Sequence, residues 1–374
     1  ANFNFDKYLN DTHRHRFKFK TINESDIEKI IDKMKPKASC GIDGISNKLL
    51  KHIKPALIKP LTLIFNQSLS TGIFPDLLKI AKVLPLYKKE DEHVFNNYRP
   101  ISILPSISKV LERLIFIQIY DYFKRHKLFY KSQYGFREGH STELAAIELI
   151  ENIIDDMDNN KIPISIFLDL SKAFDTLDHN ILIKKLQYYG VHGNSLNLIQ
   201  NYLTNRKQLV EFDDVQSSVL PITTGVPQGS ILGPLLFIIY INDLHKASTI
   251  FSVISYADDT TLTTTLKSNN SNEHDINNAL NDINTWLKLN KLSLNVDKSK
   301  FMIFHMPKKK FIKPNLVIDD TELECVNNFD FLGLSIDENL SWKKHTAKVH
   351  GKISRSMGII NRVKHFLPTQ AKLI

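Results

Sequence analysis

The spacing of apolar residues changes along the chain, and each change marks an element. Residues 1–35 are polar and charged, with one stretch carrying Ile27, Ile30, Ile31 and Met34 at a helical spacing that predicts a helix beginning near Ser25. A loop-like run over 36–44 precedes helices around 46–55 and 57–71 and a turn at Gly72. Residues 79–104 read as a strand pair, 81–87 and 98–104, joined by the polar run 88–97. A helix is expected over about 106–124. Ser141 and Thr142 can cap the next helix, with Glu143 in its first turn and Leu144, Ile147, Ile150, Ile154 and Met157 along one side.

After a turn at Asn159 and Asn160, the run 162–170 reads as a buried strand carrying Asp169 near its end. Helices are expected at 178–189 and 194–205, a hairpin at about 207–222, and a long apolar helix over 230–244. A β-hairpin spans 250–265 with Asp258 and Asp259 at its turn. An amphipathic helix follows at 275–290, with Ile276, Leu280, Ile283 and Leu287 as its stripe, then a strand at 300–305. A hairpin near 316–336 and a basic helical segment end the chain. Mixed strands and helices, with helices packed on one sheet face, give an α+β class.

Composition narrows the options. With 42% hydrophobic and 24% charged residues, the 374-residue chain is neither a disordered tail, a collagen-like rod nor a coiled coil, and its length suits two or three packed units. The longest apolar stretch, 231–241, contains Gly233 and Pro234 and is far short of the roughly 20 residues that a spanning helix needs, so a soluble, non-membrane protein is expected. No basic segment followed by an apolar one opens the chain, which argues against secretion. The start at Ala1 without Met, and the end at Ile374 inside an unfinished pattern, read as a piece of a longer polypeptide. Cys40 and Cys325 have no metal-ligand spacing and make no disulfide framework, so reduced thiols in an intracellular, reducing compartment are expected.

The net charge is +9, and residues 341–374 hold eight basic residues (Lys343, Lys344, Lys348, Lys352, Arg355, Arg362, Lys364 and Lys372) and no acidic one. Such a segment either neutralises phosphates or forms a solvated helix face, and charge alone does not choose.

The sharpest chemistry lies in strand-borne carboxylates. Asp169 follows Phe167 and Leu168, and Asp258 and Asp259 follow Ile254-Ser-Tyr-Ala257. An ionised Asp at the end of a buried strand costs several kcal/mol unless it is paired or bound to a cation. Two plain alternatives stand beside this: adjacent Asp residues favour turns, and Asp169 could cap a helix. The neighbours shift the balance. Residues 225–237 form a Gly-rich turn opening a helix, where a flat or charged ligand could approach the backbone and Gln228 could hydrogen-bond it. Lys88, Lys89 and Arg99 sit in a basic strand pair suited to a polyphosphate. Carboxylates, a Gly-rich platform and a basic clamp are what phosphoryl transfer by two metal ions requires.

Phe167-Leu-Asp169-Leu-Ser-Lys-Ala-Phe174-Asp175, Pro227-Gln-Gly-Ser230 and Tyr256-Ala-Asp-Asp259 resemble motifs A, B and C of reverse transcriptases, of the type found in non-LTR (LINE-like) retrotransposons. Further resemblances run in family order: Gly41-Ile-Asp-Gly44, Asn97-Tyr-Arg-Pro-Ile-Ser102 and Gln133-Tyr-Gly-Phe-Arg137 to finger motifs, residues 294–300 to motif D, and Phe331-Leu-Gly333 to motif E. The resemblance covers about residues 36–340. It implies a right-hand polymerase with an N-terminal extension (1–35), fingers (36–158), a palm of antiparallel sheet backed by helices (159–336) and the start of an incomplete helical thumb (337–374).

The resemblance also implies roles. Asp169 and Asp258, with the carbonyl of Leu170, would hold two Mg²⁺ ions, and Asp259 would be a less direct third carboxylate; Mn²⁺ also suits oxygen ligands. Lys88 and Arg99 would contact the triphosphate, and Lys298 would be a general acid for pyrophosphate, with Lys300 its rival. Gln228 and Gly229 would line the base and ribose of the incoming nucleotide. Phe174 resembles the steric gate that excludes a 2′-hydroxyl. Arg137 is either a template-backbone contact or a finger ion pair, and Trp286 and Trp342 are packing residues. The implied partners are an RNA template, a DNA primer, their hybrid duplex and deoxynucleotides, in the nucleus and cytoplasm; oligomeric state stays open.

Three alternatives remain. A viral RNA-dependent RNA polymerase would carry Gly before the Asp pair, where Tyr256-Ala257 stand. A group II intron or retron enzyme would fit the chemistry, but the contexts of 97–102 and 174–175 favour the retrotransposon type. A decayed or domesticated copy would bind nucleic acid without polymerising. Cys40 and Ile42 depart mildly from the family's finger motif, and no endonuclease or ribonuclease H motif is recognisable.

Overall fold

The computed structural model describes residues 5–9, 15–88, 91–213, 215–366 and 368. Helix α1 (Glu24–Lys33) starts at a reciprocal cap between Asn23 and Asp26 and buries Ile27 and Ile31. The two helices expected over 46–71 are one, α2 (Asn47–Thr71), which runs through Pro55 and Pro60. Each proline forfeits one main-chain hydrogen bond. The helix holds because Ser46 caps its start, Leu50, Leu61, Phe65 and Leu69 bury along it, and Gly72 at φ +76 closes it. Strands β1 (Ile80–Tyr87) and β2 (Tyr98–Ile103) pair antiparallel as expected, from Lys82 opposite Ile103 to Tyr87 opposite Tyr98. Lys89, in their connection, lies outside the described residues, as does Lys372.

Helices α3 (Ser106–Arg125) and α4 (Thr142–Asp158) match their expected spans, but α4 buries a different face from the one its pattern suggested. Ala145, Ala146, Leu149, Ile153 and Met157 are buried, whereas Leu144, Ile147 and Ile154 are exposed. Two small alanines let the helix lie close on a sheet, which a row of Leu and Ile would hold away.

Next come β3 (Ile162–Leu168), β4 (Leu170–Ser171), a short α5 (Ala173–Thr176), α6 (His179–Tyr188) and α7 (Gly193–Leu203). A hairpin of β5 (Arg206–Phe212) with β6 (Val215–Gln216) and β7 (Leu220–Ile222) leads to α8 (Leu232–Tyr240), shorter than the expected 230–244. Then follow β8 (Ser252–Tyr256), β9 (Asp259–Leu266), α9 (Glu273–Leu289), β10 (Ser293–Leu294) and β11 (Lys300–Ile303). The hairpin expected near 316–336 is two hairpins with a strand between: β12 (Val317–Ile318) with β13 (Thr321–Glu322), β14 (Glu324–Cys325), and β15 (Asn328–Phe331) with β16 (Leu334–Asp337). The basic helix α10 (Lys343–Val363) ends the described chain and buries none of its residues.

The central sheet has the order β14-β11-β3-β9-β8, antiparallel except for the parallel edge pair β11–β14. All seven residues of β3 are buried because both sheet faces are covered. Ile162, Ile164, Ile166 and Leu168 share one core with residues of α3, α6, α8 and α9. Phe167 points the other way, into a second core with α4 and Phe331 and Ile336 of the β15–β16 hairpin. Helices on one face only were expected, so α4 corrects that picture. A second sheet, β2-β1-β5-β6 with β7 on β5, joins β1 to β5 in parallel. No helix among the described residues is long and apolar enough to cross a membrane. Trp286 is fully buried, and Cys40 and Cys325 are free thiols.

Candidate active site

The antiparallel register of β3 with β9 sets Leu168 opposite Thr260. The next residues outward are Asp169 on one strand and Asp259 on the other, with Asp258 in the turn before β9. Main-chain bonds fix Asp169: its N–H donates to Ser299 Oγ (3.1 Å) and its carbonyl accepts from Asn295 N–H (2.8 Å). With Leu170 opposite Leu294, that second bond turns the Leu170 carbonyl away from β10.

Burial and the charge of Asp169 push the Asp258 carboxyl above its usual range. Asp259 is pushed up to about 6, by desolvation first and then by the charges of Asp258 and Asp169. Two carboxyls raised by burial and by the negative charge beside them form a site that favours a cation. Among the described residues no three His, Cys, Asp or Glu side chains already surround a common ion position. The donor set still fits a hard divalent cation, since it is all oxygen and its repulsion is what a cation relieves. The Leu170 carbonyl, water and substrate oxygens would fill the remaining positions.

A cleft of about 1600 Å³ opens between the two sheets. It is lined by Lys88, Arg99, Asp169, Phe174, Gln228, Gly229, Asp258 and Lys298, which lie far apart in sequence; Asp259 and Leu170 do not line it. Lys88 and Arg99 are exposed on the β1–β2 pair, with no carboxylate partner among the described residues. Lys298 reaches the cleft, whereas Lys300 is held by Glu324 (2.6 Å) and the Asp297 carbonyl (2.6 Å). Phe174 is half-buried, stacked on Phe237 (centroids 4.4 Å apart) and edge-on to Phe136 (6.1 Å). Phe136 lines the same cleft with its backbone in the left-handed region (φ +57), and the sequence reading missed it.

The Gly-rich turn is also tied into the protein itself. Gln228, expected to bond a ligand, lines the cleft while its side-chain amide donates to both oxygens of Asp175 (2.9 Å each) and its main-chain carbonyl accepts from Ser102 N–H (2.7 Å). A Cβ on Gly229 (φ +123) would stand 2.4 Å from the Ser102 carbonyl, so the glycine admits the close approach of β2 at the cleft. The start of α8 is not open to an anion. Oε2 of Glu112, fully buried on α3, accepts from the amides of Ile231 (2.7 Å) and Leu232 (3.2 Å). A glutamate amid Val110, Leu111, Leu114 and Ile115 was the available signal for this cap.

Arg137 was expected at template or in an ion pair. Its Nη1 instead donates to the carbonyls of Tyr130 (2.8 Å), Lys131 (3.3 Å) and Gln133 (3.0 Å).

The description "Reverse transcriptase (RNA-dependent DNA polymerase)" belongs to the family model that matches residues 87–336. Among curated proteins, the chain is similar to a probable RNA-directed DNA polymerase from transposon BS of Drosophila melanogaster, 29% identical over 92% of this chain and 39% of that protein. It is 26% identical to the RNA-directed DNA polymerase from mobile element jockey of the same species, over 92% of this chain and 38% of that protein. A Pol polyprotein from type-1 retrotransposable element R1 of Bradysia coprophila is 25% identical over 89% of this chain and 33% of its own length. The chain thus spans about two fifths or less of the curated relatives it matches.

Proposed function

The chain belongs to the reverse transcriptase (RNA-dependent DNA polymerase) family, and on that premise we propose that it extends a primer 3′-hydroxyl with deoxynucleotides on an RNA template. Family members generally use divalent metal ions. We assign Mg²⁺, or Mn²⁺ in its place, to Asp169, Asp258, Asp259 and the Leu170 carbonyl. When bound, two such ions lower the pKa of the attacking hydroxyl and stabilise the leaving pyrophosphate.

The chain's own residues supply the rest. Lys88 and Arg99, exposed and cationic, would bind the triphosphate. Lys298 would protonate the departing pyrophosphate. The Phe174 ring, clamped by Phe237, would stand under the sugar and exclude a 2′-hydroxyl. Gln228 would act on the nucleotide through Asp175, whose two carboxylate oxygens it holds.

The right-hand layout is part of the same proposal. Fingers, palm and the start of a thumb correspond to 36–158, 159–336 and 337–374, with 1–35 as an extension. Packing favours two exchanges across the first boundary: α4 goes with the central sheet and the 206–222 hairpin with β1 and β2. The exposed basic face of α10 suits the phosphates of an RNA–DNA duplex.

The observation that carries the proposal is the β3–β9 register, which sets Asp169 beside Asp258 and Asp259 at a cleft rimmed by Lys88 and Arg99. Primer extension on RNA with Mg²⁺ and deoxynucleotides tests it, beside a double Asp258→Asn, Asp259→Asn variant. Extension by the native chain and none by the variant is expected. Duplex binding without extension by the native chain would favour a decayed, nucleic-acid-binding copy.

A further inference from the structure

The turn that presents Asp258 carries an unmet main-chain need. Tyr256 opposite Asp259 is the last pair of the β8–β9 ladder, so the amide of Ala257, a residue only 4% exposed, has no partner in that ladder. Ala257 is also held in the left-handed region at φ +59, costly for a residue with a Cβ. Surroundings must over-determine such a conformation for it to persist.

Residues 132–137 supply those surroundings. Strand β8 is the edge of the central sheet, and this short segment lies along it: Ser255 N–H donates to the Ser132 carbonyl (2.9 Å) and Tyr134 N–H to the Ser255 carbonyl (2.7 Å). Side chains alternate as on a strand. Ser132 Oγ (2.7 Å) and the Tyr134 hydroxyl both donate to Glu148 of α4. On the other side Gln133, 3% exposed, turns its Oε1 to the amides of Ala257 (3.1 Å) and Gly135 (2.8 Å). Gly135 lies so close that a Cβ there would be 2.1 Å from the Ala257 nitrogen. Arg137 ties the segment down through the three carbonyls it caps.

We propose that Gln133 is a positioning residue for the metal-binding turn: its side-chain carbonyl holds the Ala257 amide and so aims the carboxylates of Asp258 and Asp259 toward Asp169. The inference rests on the polymerase reading above. It assigns the Gln133–Arg137 segment to the carboxylate turn and not to the template.

The test is Mn²⁺ binding, followed by electron paramagnetic resonance, together with primer-extension kcat and KM, on the native chain, Gln133→Met and Asp258→Asn. Gln133→Met keeps the length and removes the acceptor. Groups that orient metal ligands are worth about 10- to 100-fold in affinity or activity, and a loss of that size in both Mn²⁺ affinity and kcat, with KM for deoxynucleotide little changed, is expected. Native Mn²⁺ affinity in Gln133→Met would overturn the inference, whether or not kcat fell, since a merely structural defect lowers kcat alone. Native Mn²⁺ binding by Asp258→Asn would overturn the metal-site reading beneath it as well. If Gln133→Met does not fold, amide-resolved hydrogen exchange on the native, metal-free chain decides: a slow Ala257 amide is expected, and a fast one would overturn the inference.

Discussion

Replacing Glu112 separates the cost of a lost charge from the cost of unpaired amides. Its Oε2 holds the amides of Ile231 and Leu232 at the start of α8, and its Oε1 accepts from the Ser108 hydroxyl (3.1 Å). Burial pushes its pKa up, while the charge of Arg206 and these hydrogen bonds pull the other way. Arg206 is itself fully buried and donates from Nη1 to the Tyr202 carbonyl (3.1 Å). In Glu112→Gln, the amide oxygen can still take both N–H groups, and the NH₂ can face Ser108. In Glu112→Ala, nothing takes them. Both variants remove the counter-charge of Arg206, so that contribution cancels in the comparison. What remains is two buried N–H groups without acceptors, at about 1–3 kcal/mol each, so Ala should fall below Gln by about 2–6 kcal/mol. A whole domain has about 5–15 kcal/mol of stability, which leaves the Ala variant near unfolding. Urea denaturation at constant m-value measures the gap. A gap under about 1 kcal/mol would refute the cap, because it would mean that water or another group satisfies the start of α8 without Glu112.

Three further outcomes follow from the same geometry. Phe174→Ala should raise ribonucleotide use relative to deoxynucleotide, measured as the ratio of kcat/KM values; any lost packing on Phe237 lowers both alike, so an unchanged ratio would sink the gate assignment. Because the folded state holds the Asp259 proton up to about pH 6 against an ordinary 3.8, ionising it costs stability, so the metal-free chain should lose stability as pH rises through that window. Asp259→Asn should flatten that slope, leaving the part due to Asp258, and added Mg²⁺ should offset it; superimposable native and variant profiles in pH-dependent melting would contradict the raised Asp259 carboxyl. Lys185→Met should cost about 3–5 kcal/mol in the same urea assay, since it strands the fully buried Asp243, now paired to Lys185 (2.6 Å) and Trp286 Nε1 (3.0 Å). A loss under about 1 kcal/mol would mean that Asp243 is not ionised there.

What the sequence revealed, and what it hid, divides along a physical line. The strand β3, the β8–β9 hairpin and the carboxylates at their ends were legible, because an ionisable group at the end of a mostly buried strand carries a cost that demands a reason. The helical stripe of α9 was legible for the same kind of reason: Ile276, Leu280, Ile283 and Leu287 recur at one period and are all buried. In α4 that rule failed, because Ala145 and Ala146 count for little in an apolar pattern yet allow the closest approach to the sheet. Prolines 55 and 60 misled for a related reason, since the buried face of α2 outweighs two missing bonds. The parallel pairing of β1 with β5 left no local mark at all, because register between segments more than a hundred residues apart is a tertiary property.

Several residues around the site share one trait. Gln228 and Gly229 are expected at the nucleotide, and Arg137 at the template backbone or in an ion pair, and each also serves the protein itself: Gln228 meets Asp175 and Ser102, Gly229 the Ser102 carbonyl, and Arg137 three carbonyls. Gln133 and Glu112 were not assigned, and each serves a main-chain amide more than a hundred residues away. A catalytic carboxylate can be recognised from its own neighbours, because its cost is local. A supporting side chain is defined by an orphaned amide elsewhere in the fold, so its partner is visible only once strand register is known. If that division holds, substitutions at Glu112 and Gln133 should leave cleft-lining residues chemically intact yet displace the elements that carry them. Loss of metal affinity in Gln133→Met with Asp169, Asp258 and Asp259 all present would be the direct sign of it.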